Sequence, residues 1–133
     1  MVCTPHLGAS TSEAQVKVAV QVAQQVTDYL REGAITNSIN SPSISAAEAP
    51  LLKPWVKVSD VLGGFVGQVI ETGLKEINIE YVGSVGELNT RPLTCSIVAA
   101  VLNPVVGVGS LNLVSSLIFA RKRGIVISEI KKD

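Results

Sequence analysis

The sequence predicts an α/β domain, α+β-like in arrangement, in which an N-terminal amphipathic helix precedes a small two-layer body of short strands and about three helices. Three observations carry that expectation. An early apolar stripe repeats at helical spacing, residues 77–81 alternate with period two, and helical patterns then alternate with short strand patterns to the end of the chain. With 133 residues and 47% hydrophobic content, the chain is long enough to bury one core.

The first helix is predicted from Ser10 to Glu32. Ser10-Thr11-Ser12-Glu13 has the form of a capping box, and Ala19, Val22, Ala23, Val26, Tyr29 and Leu30 recur at three- and four-residue steps. Gly33 is placed to end the helix, and one face is expected to be buried. From Gly33 to Pro50 the chain turns to Asn, Ser and Pro, a connector with at most a brief strand, which sets a boundary between residues 1–35 and 36–133. A second helix follows over about Leu51 to Glu71. Gly63, Gly64 and Gly67 in its interior imply close backbone packing or a kink, or an early end near Gly63. Trp55, Phe65 and Phe119 are expected in the core, as is Cys95, read as a small buried hydrophobe.

Glu76 to Gly83 reads as the clearest strand, with Ile77, Ile79 and Tyr81 on one face. A third helix starts near Thr90 with Pro92 in its first turn and is predicted to end before Pro104. A short strand at Leu111–Val114, a helix from Ser115 to Arg123 closed by Gly124, and a last strand from Ile125 to Ile130 complete the reading. Glu80 and Glu129 are expected to point outward into solvent.

Eleven basic and eleven acidic residues cancel, so no global field steers the chain onto nucleic acid or an anionic membrane. The longest apolar run, Cys95 to Val108, is broken by Asn103 and Pro104 and is too short to span a bilayer. The first residues carry neither a basic nor an apolar region of a secretory signal, and two widely spaced cysteines form no zinc or disulfide pattern; both point to the cytoplasm and to no metal. The mean hydropathy of +0.40 is high for a neutral chain, which implies apolar surface turned toward a partner.

Pro5-His6-Leu7-Gly8-Ala9-Ser10, Asn37-Ser38-Ile39-Asn40-Ser41-Pro42, Leu52-Lys53-Pro54-Trp55, Asn89-Thr90-Arg91-Pro92-Leu93-Thr94 and Ala120-Arg121-Lys122-Arg123-Gly124-Ile125 occur in this order. In these stretches the chain resembles the D-3-phosphoglycerate dehydrogenases, within the wider D-2-hydroxyacid dehydrogenase family, over essentially its whole length. The resemblance implies that residues 1–35 are the tail of the catalytic region and 36–133 the intervening, allosteric-substrate-binding domain. His6 then matches the acid/base that exchanges a proton with the substrate hydroxyl, a task that suits an imidazole. Gly8, Ala9 and Ser10 match the segment that approaches the nicotinamide.

The resemblance further implies a parent enzyme that oxidises 3-phosphoglycerate to 3-phosphohydroxypyruvate with NAD, opening serine biosynthesis. The carboxylate partner of His6, the substrate-clamping arginine and the glycine-rich loop all precede this stretch in the family. No GxGxxG lies between a strand and a helix here, and Gly107-Val108-Gly109 has the wrong sequel. The chain alone is therefore expected to bind no cofactor and to turn over no substrate, and its stop at Asp133 leads us to expect no serine feedback through a terminal domain. Two roles follow: a regulatory and oligomerisation domain, or one half of a split dehydrogenase that supplies His6 to a separate nucleotide-binding chain.

Arg121, Lys122 and Arg123, joined by Arg91 and with Lys53 and Lys75 as further candidates, form the predicted anion-binding cluster for a phosphorylated small-molecule effector, because guanidinium groups pair bidentately with phosphate. The alternative is a solvated cationic helix end. Ser115-Ser116 and Lys122 depart from the family pattern, and the first departure puts a polar contact in doubt. A homo-oligomer is expected, with neither nucleic acid nor membrane as a partner.

Overall fold

The computed structural model describes residues 3, 5, 7–70 and 73–133. Helix α1 spans Ser12–Glu32, helix α2 Ala49–Val69, strand β1 Glu76–Val82, helix α3 Arg91–Val106, helix α4 Ser116–Lys122 and strand β2 Val126–Lys132. A turn of 3-10 helix at Gly83–Glu87 links β1 to α3. The two strands pair in parallel, with Glu76 opposite Val126 and Val82 opposite Lys132, so α3 and α4 form the crossover between them. The result is the small mixed α/β body that the sequence implies.

The α1 cap lies one residue later than the sequence pattern places it. Thr11, in extended backbone, accepts from the Ala14 N–H at 3.2 Å, and the Glu13 carboxylate pairs with Lys17 at 2.6 Å instead of reaching back. Gly33 ends the helix at φ 78°, a left-handed conformation that glycine adopts without a Cβ penalty. The expected buried face is not found: no residue of α1 is buried. Beyond it, Ala34 is buried and Ile35 and Ile44 exchange both backbone hydrogen bonds at 2.7 Å, the brief pairing allowed for in the connector.

Close backbone packing, not a kink or an early end, accounts for two of the α2 glycines. A Cβ at Gly63 would lie 2.7 Å from the Ala100 Cβ and 2.9 Å from the Ile97 carbonyl oxygen, and one at Gly67 would collide with the Val101 carbonyl. Asp60 accepts from the Ser96 hydroxyl one turn earlier. The contacts advance in the same order along both helices, so α2 and α3 run side by side in the same direction. Leu52, Ser59, Gly63 and Gly67 form the buried line, and the other side of α2 stays open. Trp55 and Phe65 therefore lie outside the core, Phe65 with 67% of its surface exposed, because the small-residue line and not the large-residue line faces α3. Phe119 is half-buried against the core as expected.

Helix α3 is the centre of the body, with Leu93, Cys95, Val98, Val101 and Leu102 all buried. It runs through Pro104 to Val106, past its predicted end. Pro104 lies in the last turn, where few later bonds depend on it, and the Gly107 N–H closes the helix on Asn103 O at 2.8 Å. Leu111–Val114 forms a turn and no strand. Asn112 Oδ1 accepts from the N–H groups of Val114 and Ser115, and Asn103 holds Leu111 from both sides, so side chains take the backbone groups a strand would need. Ile77, Ile79, Tyr81 and Ile127 turn the sheet's apolar face onto this core.

Candidate functional site

Helix α4 positions the basic cluster. Ser116 is buried and donates to Cys95 O at 2.9 Å, which clamps the start of α4 onto α3, and Ala120 is packed fully inside. Ser115 joins the Asn112 turn, with its N–H and hydroxyl donating to Asn112 Oδ1 and its Oγ accepting from the Asn112 N–H. Both serines thus supply polar contacts at the positions where the family pattern differs. With one face of α4 buried, Arg121 and Lys122 project into solvent from its last turn, where cations complement the negative end of the helix.

Arg123 differs from its two neighbours. Its guanidinium lies over the Phe119 ring, 5.1 Å from the centroid, and it lines a cleft of about 610 Å³. Gly67, Leu74, Val101, Val105 and Ile125 supply the apolar walls. No salt bridge joins Arg121, Lys122 or Arg123 to a carboxylate among the described residues. Lys75 comes close through its backbone, as its carbonyl accepts from the Val126 N–H at 2.9 Å.

Arg91 is not part of this group. It opens α3, whereas the cleft holds Val105 and Val106 at the other end of the same helix. Fourteen residues at 1.5 Å rise separate Arg91 from Val105 by about 21 Å along the axis. Arg91 instead approaches Glu129, at 4.0 Å. Lys53, early on the parallel α2, lies toward that same far end.

At the Arg91 end, a buried polar chain crosses from sheet to helix. The Tyr81 hydroxyl lies 2.8 Å from Thr94 Oγ1, Thr94 donates to Thr90 O at 3.2 Å, and Thr90 donates to Glu129 Oε2 at 3.2 Å. Glu129 is thus held by Thr90 and Arg91 and is not a simple solvated carboxylate. Burial above all pushes the Tyr81 phenol up to about 12; the bond to Thr94 opposes this, and the Glu129 charge adds to it. Burial also raises the Cys95 thiol, which keeps it protonated and chemically quiet. The sequence reading missed this chain, although the four-residue step from Thr90 to Thr94 puts both hydroxyls on one face of α3.

His6 lies outside the described residues. Gly8, Ala9 and Ser10 are exposed and precede α1, with Ser10 donating its N–H to Leu7 O at 3.0 Å. Gly107-Val108-Gly109 is not a pyrophosphate loop. Gly107 and Gly109 follow helix α3 and enter a turn, whereas a pyrophosphate loop leaves a strand and opens a helix. Among the described residues no group of three or more His, Cys, Asp or Glu is placed to hold a metal, and no helix is long and apolar enough to cross a membrane.

The sequence profile of the D-3-phosphoglycerate dehydrogenase intervening domain matches residues 51–133, from α2 to the end of the chain. The chain is 33% identical over 129 residues to the D-3-phosphoglycerate dehydrogenase of Bacillus subtilis, covering 97% of this chain and 24% of that protein. It is 34% identical to the Synechocystis enzyme of the same name, over 98% of this chain and 24% of the relative. With the D-3-phosphoglycerate dehydrogenase 3, chloroplastic, of Arabidopsis thaliana it shares 35% identity, over 95% of this chain and 22% of the relative. The chain thus spans about a quarter of the length of these curated relatives.

Proposed function

The chain belongs to the D-3-phosphoglycerate dehydrogenase family, and we propose that it serves there as a regulatory and subunit-contact domain whose anion site is centred on Arg123. One observation carries this reading: within the body that the intervening-domain profile covers, the Arg123 guanidinium sits on Phe119 at an apolar cleft, with Arg121 and Lys122 beside it. A small phosphorylated effector suits this arrangement, with its anionic head on the guanidinium.

The oxidoreductase activity belongs to the longer protein. There NAD accepts hydride from 3-phosphoglycerate on the way to serine, His6 exchanges the hydroxyl proton, and Gly8, Ala9 and Ser10 approach the nicotinamide. This chain by itself turns over no substrate, works as a homo-oligomer, and resides in the cytoplasm.

Thermal unfolding with 3-phosphoglycerate, inorganic phosphate and serine tests the reading. The expected result is a rise in Tm with the two phosphorylated ligands and none with serine, lost in an Arg121→Gln/Arg123→Gln double variant. No rise with any ligand, or a rise that survives the double variant, contradicts the anion site.

A further inference from the structure

The cleft beside Arg123 has walls that a bare anion does not use. Among the described residues that line it, Arg123 is the only charged one, and Arg121 and Lys122, although adjacent in sequence, are not part of the lining. The rest of the wall is apolar. Ile70 and Leu74 come from the connection between α2 and β1, Val105 and Val106 from the end of α3, and Ile125 from the residue before β2. Val105 is 75% exposed, so part of this apolar surface faces water. The backbone that carries the guanidinium is pinned. The Arg123 N–H donates to Phe119 O and Ala120 O, both at 3.1 Å, the Gly124 N–H donates to Arg121 O at 3.1 Å, and the Ile125 N–H returns to Ala120 O at 3.0 Å. Gly124 makes that return at φ 70°, the left-handed close of a helix. With the side chain resting on the Phe119 ring, the one cation of the cleft is held beside its apolar wall.

We propose that this cleft selects an amphiphilic phosphate monoester, with the phosphate on Arg123 and an aromatic or branched aliphatic body against Leu74, Val105 and Ile125. This rests on the reading of Arg123 as an anion site and names the class of ligand that the site prefers. Every phosphate monoester offers the guanidinium the same head, so the head alone gives no discrimination. The body decides. A polar body of a few carbons uses the guanidinium but sets its hydroxyls against side chains that offer no hydrogen bond, and the desolvation of those hydroxyls offsets part of the gain. An apolar body removes both itself and the exposed valine wall from water, which adds to the binding of the head. Because the Arg123 backbone is fixed before the ligand arrives, little ordering of the site opposes that gain.

Isothermal titration of the whole chain with phenyl phosphate and with glycerol 3-phosphate tests this, since the two esters share a head and differ in the body. Phenyl phosphate is expected to bind about tenfold more tightly, the gain from roughly 60 Å² of apolar surface removed from water. Arg123→Gln is expected to abolish the binding of both. A Val105→Asn/Val106→Asn variant changes the wall at two exposed positions and leaves Arg123 in place. With its fold checked by thermal unfolding, it is expected to lose most of the preference for phenyl phosphate while binding glycerol 3-phosphate as the parent chain does. Equal affinity of the parent chain for the two esters would overturn the proposal and leave the anion site standing. A preference that survives the double valine substitution would also overturn it, because the ring would then sit elsewhere. No binding of either ester, or binding that Arg123→Gln leaves intact, would remove both the proposal and the anion-site reading beneath it.

Discussion

The Tyr81 hydroxyl lies 2.8 Å from Thr94 Oγ1, at the point where β1 packs on α3 and both residues are buried. Thr94 has given its own proton to Thr90 O, so the phenol donates and the threonine accepts. Thr94→Val keeps the shape of the side chain and leaves the phenol with only a long 3.5 Å approach to Thr90 O. A buried donor without a good partner costs about 1–3 kcal/mol, so urea denaturation should show a loss of that size. The Tyr81→Phe/Thr94→Val double variant should recover part of it, since both polar partners are then gone.

The same pair sets an alkaline limit. The phenol is held protonated in the folded chain up to about 12, against 10.0 in the unfolded chain. Its folded value is the raised one, so its contribution is complete below the unfolded value and is lost as pH climbs toward the folded value. Stability should fall between pH 10 and 12 as the unfolded chain ionises first. Tyr81→Phe should flatten that part of the profile in urea titrations at stepped pH.

Gly67 and Gly64 lie on one helix and should respond oppositely to alanine. A Cβ at Gly67 meets the Val101 backbone, which has no side-chain freedom to yield, whereas a Cβ at Gly64 meets nothing within 4 Å. Gly67→Ala should destabilise by about 3 kcal/mol through overpacking. Gly64→Ala should stabilise by up to ~1 kcal/mol through helix propensity. Thermal unfolding of the two variants side by side separates these effects.

Where the elements lie was legible because periodicity records which side of a segment is apolar, as in the alternation from Ile77 to Tyr81. Which apolar side is covered was not, since that depends on partners distant in sequence. Trp55 and Phe65 read as core by size and spacing, yet the glycine line of α2 takes the place against α3. Asn112 and Asn103 convert an apparent strand at Leu111–Val114 into a turn, an effect of side-chain hydrogen bonds that hydrophobic pattern does not encode. At the candidate site, the adjacency of Arg121, Lys122 and Arg123 was plain, but only the fold separates Arg91 from them along α3 and singles out Arg123 at the cleft.

That separation gives a control for the anion site. Arg91→Gln removes a charge as large as that of Arg123→Gln but loses only the 4.0 Å approach to Glu129. It should leave phosphate-dependent stabilisation intact, and equal losses from both variants would point to general charge attraction.

The most direct measurement is isothermal titration of the chain with 3-phosphoglycerate, repeated on Arg123→Gln. Saturable binding to the parent chain that Arg123→Gln abolishes is the predicted result. No binding, or binding equally strong in the variant, would contradict an effector site centred on Arg123.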